Sequence, residues 1–219
     1  MAESRTRPPG GRGAEADRND LRVLIAAGEV FTTLGWDAPI SAVARKAGVG
    51  MGSIYRRYPS KEALLQQICV NATERAADEA RSALEEEADA WSALRHFMRR
   101  MAEARICSLF VLTGRGAGDS AVLEKASRHL HEAIAGIIEQ ARRESVLRPD
   151  VTPADVCVLL SYLRTVPVAG QDAQAEFLDR YLEIMLAGLR APAAGTGPPA
   201  LPGRPPGWND LDFAPARPL

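Results

Sequence analysis

The chain of 219 residues has only three cysteines, Cys69, Cys107 and Cys157, and they lie far apart. They make no CxxC pair and no zinc-ligand spacing, so neither a thiol redox centre nor a cysteine metal site is expected. In a reducing compartment they read as small buried hydrophobes. Long apolar runs are absent too, none approaching the roughly 18 residues of a membrane-spanning helix, so no membrane partner is expected. Met1–Asp17 is rich in Arg, Gly and Pro and lacks the apolar stretch of a secretory signal, which makes the cytoplasm the expected location. No Ser/His/Asp set, paired carboxylates or metal-ligand cluster stands out, so neither catalysis nor a cofactor is expected. His129 and His131 look like a metal pair, but i,i+2 residues on a helix point apart, and His96 stands alone. Gly114–Gly118 lacks the Gly-Lys-Ser/Thr ending of a phosphate-binding loop. No alternating run suggests a strand, which leaves an all-α class.

Charge is unevenly spread. The net of −1 hides 10 cationic and 6 anionic residues in the first 61, and 17 against 22 in the remainder. Within Ala38–Lys61 there are five cations (Arg45, Lys46, Arg56, Arg57, Lys61) and no carboxylate. Such a stretch is either a solvated helix face or a surface for a polyanion, and charge alone does not decide between them.

Residues 1–18 read as a flexible arm. Helical patterning starts near Asn19 or Asp20, with Leu21, Leu24, Ile25, Gly28, Phe31 and Leu34 at three- to four-residue steps, and Gly35 stops the run. Pro39 fits the first turn of a second helix, whose stripe is Ile40, Val43, Ala44 and Ala47. Gly48 ends it, a third short helix spans Met51–Tyr58, and Ser60 caps a long fourth one after Pro59. Further helices are expected near 88–112, 119–145, 153–168 and 172–190, separated by Gly114–Gly118, Arg148-Pro149-Asp150 and Pro167–Gly170. From Ala191 onward, eight of the 15 prolines and four glycines predict a disordered tail, with Trp208–Phe213 as an acidic-aromatic island that reads as part of a passive tail, a docking motif being the alternative.

Helix, glycine turn and short cationic helix make a helix-turn-helix. Gly48 supplies the positive φ that swings the third helix across the second. Ala44 and Ala47 are small enough for close crossing, and Val49 and Ile54 plug the angle. The third helix opens with Gly50-Met51-Gly52-Ser53, small enough to approach a phosphate backbone. Arg22–Leu65, and above all Val43–Leu65, resembles the DNA-binding domain of the TetR family of transcriptional regulators, over about a fifth of the chain. The resemblance implies that Met51–Tyr58 is the recognition helix. It places Met51, Gly52 and Tyr55 at base edges, with Tyr55 against a thymine methyl. Ser53, Arg57 and Lys61 fall where the family holds phosphates, and Arg56 can reach either target. The structural alternative keeps Arg45 and Lys46 as solvated residues and Tyr58 as core. Gly50 stands where a Ser or Thr often caps this helix, a loss of about 0.5 kcal/mol relative to Ser. Met51 has no hydrogen-bonding fork, which leaves base reading to Arg56 or to Ser41 on the second helix.

Residues 19–66 are thus expected to form a three-helix DNA-binding domain, and 67–190 a helical regulatory and dimerisation domain. The resemblance implies that the latter binds a small effector in many members and pairs through its last two helices. Val156, Leu159, Leu163, Phe177, Tyr181, Leu182, Met185 and Leu189 are the expected interface, although a core role within one subunit is the alternative. Phe97, Met101, Cys107, Phe110, Leu130, Ile134 and Tyr162 are the candidate pocket lining, with plain core again the alternative. The expected function is a homodimeric repressor on double-stranded palindromic operator DNA, released by a small apolar effector. A ligand-independent regulator or activator is the alternative, and a helical enzyme or adaptor a distant one.

Overall fold

The computed structural model describes residues 11–35, 37–104, 121–163, 171–191, 200–208 and 211, with backbone alone at 11–18, 32 and 171–173. They form eight helices: α1 Gly11–Leu34, α2 Ile40–Ala47, α3 Met51–Arg57, α4 Lys61–Glu86, α5 Ala90–Glu103, α6 Ala121–Arg143, α7 Pro153–Leu163 and α8 Gln171–Leu189. The chain divides into two compact units, Met1–Ile68 and Cys69–Leu219. Among the described residues no helix is long and apolar enough to cross a membrane.

In the first unit, α1 starts at Gly11, ahead of the expected Asn19 or Asp20, so residues 11–18 of the expected arm are helical. Ala14, Glu15, Ala16 and Arg18 are good helix formers that carry the turn backwards past the apolar stripe. The stripe itself is sound: Val23, Leu24, Ala27, Val30 and Phe31 are buried. They pack with Ile40, Val43 and Ala44 of α2, Ile54 and Tyr58 at α3, and Leu64, Leu65 and Ile68 of α4 to form this unit's core. Pro39 is the extended cap before α2 rather than its first helical residue, with φ −75° and ψ 149°.

The second unit encloses a larger cluster. One wall of α4 is alanine, with Ala72, Ala76, Ala77, Ala80 and Ala83 buried against Leu94, Phe97 and Met98 of α5 and Ile134, Ile137 and Ile138 of α6. Small residues there allow close helix approach. Asp89 caps α5 by accepting the Ser92 N–H at 2.8 Å. Thr152 and Asp155 cap α7 reciprocally: Thr152 N–H donates to Asp155 at 2.7 Å, and Asp155 N–H to Thr152 Oγ1 at 3.3 Å. Pro153 takes the first helical position, where its missing N–H costs nothing. An antiparallel bridge, Leu147 with Arg190, ties the α6–α7 connection to the end of α8.

Within the expected tail, residues 200–208 and 211 are described, and some of them are docked. Trp208 and Leu211 pack on the second unit's core. Trp208 Nε1 donates to Ser127 Oγ at 3.0 Å, and its ring stacks on His131 with centroids 4.7 Å apart. Thr152 Oγ1 donates to the Pro206 carbonyl at 3.4 Å, and Leu201 N–H to Asp150 at 2.8 Å. A Pro/Gly-rich segment needs no core of its own when one large ring finds a groove and the prolines lower the entropy of ordering the chain.

Val156, Leu163, Leu182 and Leu189 of the expected dimer interface are buried inside this subunit's own core, where they hold the monomer together. Leu159, Phe177 and Met185 are half-buried, and Tyr181 is 42% exposed. Of the expected pocket, Phe97, Met101, Leu130 and Ile134 are buried together in the core, whereas Tyr162 is 66% exposed and lines no interior. Cys107 and Phe110 lie outside the described residues.

Candidate nucleic-acid interface

The turn between α2 and α3 is built on Gly48, at φ 67° and ψ 35°, in the left-handed region. Gly48 N–H donates to the Arg45 carbonyl at 3.3 Å and Val49 N–H to that of Ala44 at 3.0 Å, which satisfies the last carbonyls of α2. Gly50, extended at φ −73°, begins α3 without a side-chain cap. Ile54 and Tyr58, four residues apart, bury one side of α3. That fixes which way the rest of the helix points.

Met51 and Tyr55, one turn apart, are 46% and 47% exposed. Gly52, Ser53, Arg56 and Arg57 are exposed as well, and Ser41 is exposed on α2. The six residues sequence reasoning assigned to DNA on α3 thus share the solvent side of one helix whose other side is core. Among them Gly52 admits close approach of a backbone, because nothing lies within 4 Å of where its Cβ would be. Lys61 opens α4 half-buried, its Nζ 5.4 Å from the centre of the Phe31 ring.

Lys46 and Arg57 of this stretch are paired with carboxylates of α1. Lys46 Nζ lies 2.6 Å from Glu29, both half-exposed. Arg57 donates to Asp20 Oδ2 at 3.0 Å, and the Tyr58 hydroxyl donates to Asp20 Oδ1 at 2.6 Å. Asp20 therefore clamps the end of α3 to α1, beside a cleft lined by Asn19, Val23, Val49, Ser53 and Ile54. Attraction to Asp20 raises the Arg57 pKa further. Burial first, and the bond to Asp20 second, push the Tyr58 phenol well above its ordinary range. From the sequence Asp20 was only a candidate start of the first helix, and no local pattern links a carboxylate to partners so far along the chain.

The histidines serve elsewhere. His129 faces Glu74 at 3.1 Å and His96 faces Glu87 at 2.7 Å, while His131 stacks on Trp208. Cys69 is buried, which pushes its thiol up to about 12 and leaves it unreactive at neutral pH.

Residues 23–68 match the family model of bacterial regulatory proteins of the tetR family, and residues 88–191 that of the C-terminal domain of SbtR-like transcriptional regulators. The HTH-type transcriptional regulator UidR of Escherichia coli (strain K12) is 27% identical over 195 residues, which span 83% of this chain and 94% of UidR. Among solved structures, a TetR transcription regulatory protein from Mycobacterium vanbaalenii is 29% identical with a TM-score of 0.62, covering 83% of this chain and all of that one. A TetR transcriptional regulator from Streptomyces coelicolor is 27% identical with a TM-score of 0.63, covering 80% and 99%. With a helix-turn-helix at one end and the matched helical domain behind it, the chain belongs to the TetR family of DNA-binding transcriptional regulators.

Proposed function

We propose that the protein is a homodimeric repressor that holds a palindromic operator through α3 and leaves it on binding a small apolar effector. The observation that carries the DNA contact is the one-sided burial of α3: Ile54 and Tyr58 are core, while Met51, Gly52, Ser53, Tyr55, Arg56 and Arg57 all face solvent. In this reading Met51, Gly52 and Tyr55 meet base edges, Ser53, Arg57 and Lys61 hold phosphates, and Arg56 or Ser41 adds hydrogen-bonded base reading.

Dimerisation is supported by the outer face of α8. Asp179 and Glu183 are engaged by Arg99 and Arg95 of α5 at 2.6 and 2.8 Å, and Leu182, Leu186 and Leu189 point into the core. The side left over carries Tyr181 and Ile184, 42% and 54% exposed, with the Phe177 ring tilted against that of Tyr181 at 4.4 Å between centroids. Exposed aromatic and branched residues along one helix suit burial against the same helix of a second copy. Two α3 helices must then sit about 34–36 Å apart to read successive major grooves. An effector acts only through different affinities for matching and non-matching separations, and a coupling of about 1–3 kcal/mol suffices. The apolar interior around Phe97, Met101, Leu130 and Ile134 favours an apolar molecule.

Fluorescence anisotropy with labelled intergenic DNA from beside the gene tests the reading. Arg56→Ala or Tyr55→Ala should weaken binding to the operator more than to random duplex, because base contacts carry the specificity. Equal losses on both duplexes would remove these residues from base reading. A screen of apolar compounds in which none releases the operator would favour a ligand-independent regulator.

A further inference from the structure

The guanidinium best placed at the C-terminal end of α3 is not presented alone. Asp20 is held from two sides, by the buried Tyr58 hydroxyl at 2.6 Å and by Arg57 at 3.0 Å. Its side chain is 21% exposed while that of Arg57 is 63% exposed, so the carboxylate is a seated partner and the guanidinium a reachable one. Tyr58 pins Asp20 in place, and the negative charge cannot swing away when a polyanion approaches. A phosphate arriving at Arg57 meets a fixed carboxylate a single ion-pair distance behind it.

We propose that Asp20 is an affinity-limiting residue: it holds Arg57 in an internal ion pair in the DNA-free protein and opposes phosphate approach to the end of the recognition helix. This rests on the reading of Arg57 as a phosphate contact. Phosphate contacts supply most non-specific affinity and carry no sequence information. Damping one of them lowers affinity for operator and random duplex alike and leaves base reading by the N-terminal part of α3 untouched, so it sets how tightly DNA is held and not which sequence is chosen. Arg57 is charged throughout the neutral range, as any guanidinium is.

The test uses the full chain and a labelled random-sequence duplex, with anisotropy titrations from 50 to 200 mM salt. Four variants are compared: Asp20→Asn, Arg57→Ala, the double variant, and Glu29→Gln, which removes an equal charge from the same helix. Asp20→Asn keeps an oxygen to accept the Tyr58 hydroxyl. It should bind about 3–10-fold tighter at low salt, with a log–log salt slope steeper by about 0.9 per subunit. The double variant should lose that gain, and Glu29→Gln should change affinity by no more than about 2-fold. Asp20→Asn binding no tighter than wild type overturns the proposal, as does a gain retained without Arg57 or matched by Glu29→Gln. If Arg57→Ala then still weakens binding, the phosphate reading stands and only the role of Asp20 falls. If Arg57→Ala changes neither affinity nor slope in either background, both fall. Should Asp20→Asn fold poorly by circular dichroism, Asp20→Ser, which also keeps an acceptor, takes its place in every comparison.

Discussion

Trp208→Ala removes the anchor of a segment whose composition argues for no structure at all. Truncating a fully buried aromatic costs about 3–5 kcal/mol, and Trp208 is half-buried, so its packing contributes about half of that. The Nε1–H bond to Ser127 adds about 1 kcal/mol. Against this stands the entropy lost in ordering the tail, which its prolines reduce. Once the anchor is gone the tail detaches and recovers that entropy. The net loss is therefore capped at the tail's own docking free energy, about 1–2 kcal/mol, equivalent to a Tm lower by about 3–6 °C. Deleting residues 200–219 should cost the same as Trp208→Ala within about 0.5 kcal/mol, because both reach the same undocked state. Urea unfolding followed by circular dichroism at one fixed protein concentration measures both. Unchanged midpoints in both variants would refute the docking, and a much larger loss in Trp208→Ala than in the deletion would refute the shared undocked state.

Three further outcomes follow from geometry already described. The neutral Tyr58 phenol is the form the fold holds, so its contribution is complete below its unfolded pKa near 10 and is lost as pH rises through the higher folded value. Stability should fall above about pH 10, and Tyr58→Phe should flatten that fall in pH-dependent unfolding. Gly48→Ala, at φ 67°, should destabilise by about 1–2 kcal/mol, whereas Ser145→Gly, which relieves a serine at φ 56°, should stabilise by up to about 1 kcal/mol in thermal unfolding. Tyr181→Glu should yield folded monomer in sedimentation, whereas Leu182→Glu, buried in the monomer core, should unfold the second unit. A folded, dimeric Tyr181→Glu would move the interface off α8.

What was legible in the sequence was short-range. Gly48, the small Ala44 and the apolar Val43 and Ile54 lie within a dozen positions of one another, so spacing alone predicts a turn and two crossing helices. The docking of Trp208 was not legible for the opposite reason. Proline and glycine content averages over a whole segment, while docking depends on one indole of the tail meeting a hydroxyl at Ser127 and an imidazole at His131, both on a helix far back in the chain. The dimer residues show a third kind of limit. Leu182 and Tyr181 are neighbours in an apolar helix, and periodicity cannot say which flank meets its own core and which is left for another molecule.

The cationic stretch is where the two scales meet. Counted along the chain, Ala38–Lys61 holds five positive charges and no negative one, which reads as an unopposed surface for DNA. In space, α1 returns Glu29 to Lys46 and Asp20 to Arg57, and the charge offered to a phosphate is smaller than the count. The two pairs are not equal in kind. Lys46 and Glu29 are both half-exposed and flexible, a pairing that water and salt largely cancel. Asp20 is fixed by a buried tyrosine, so its charge stays where it is when DNA arrives. A carboxylate that cannot move aside acts on binding, and one that can move aside acts on little.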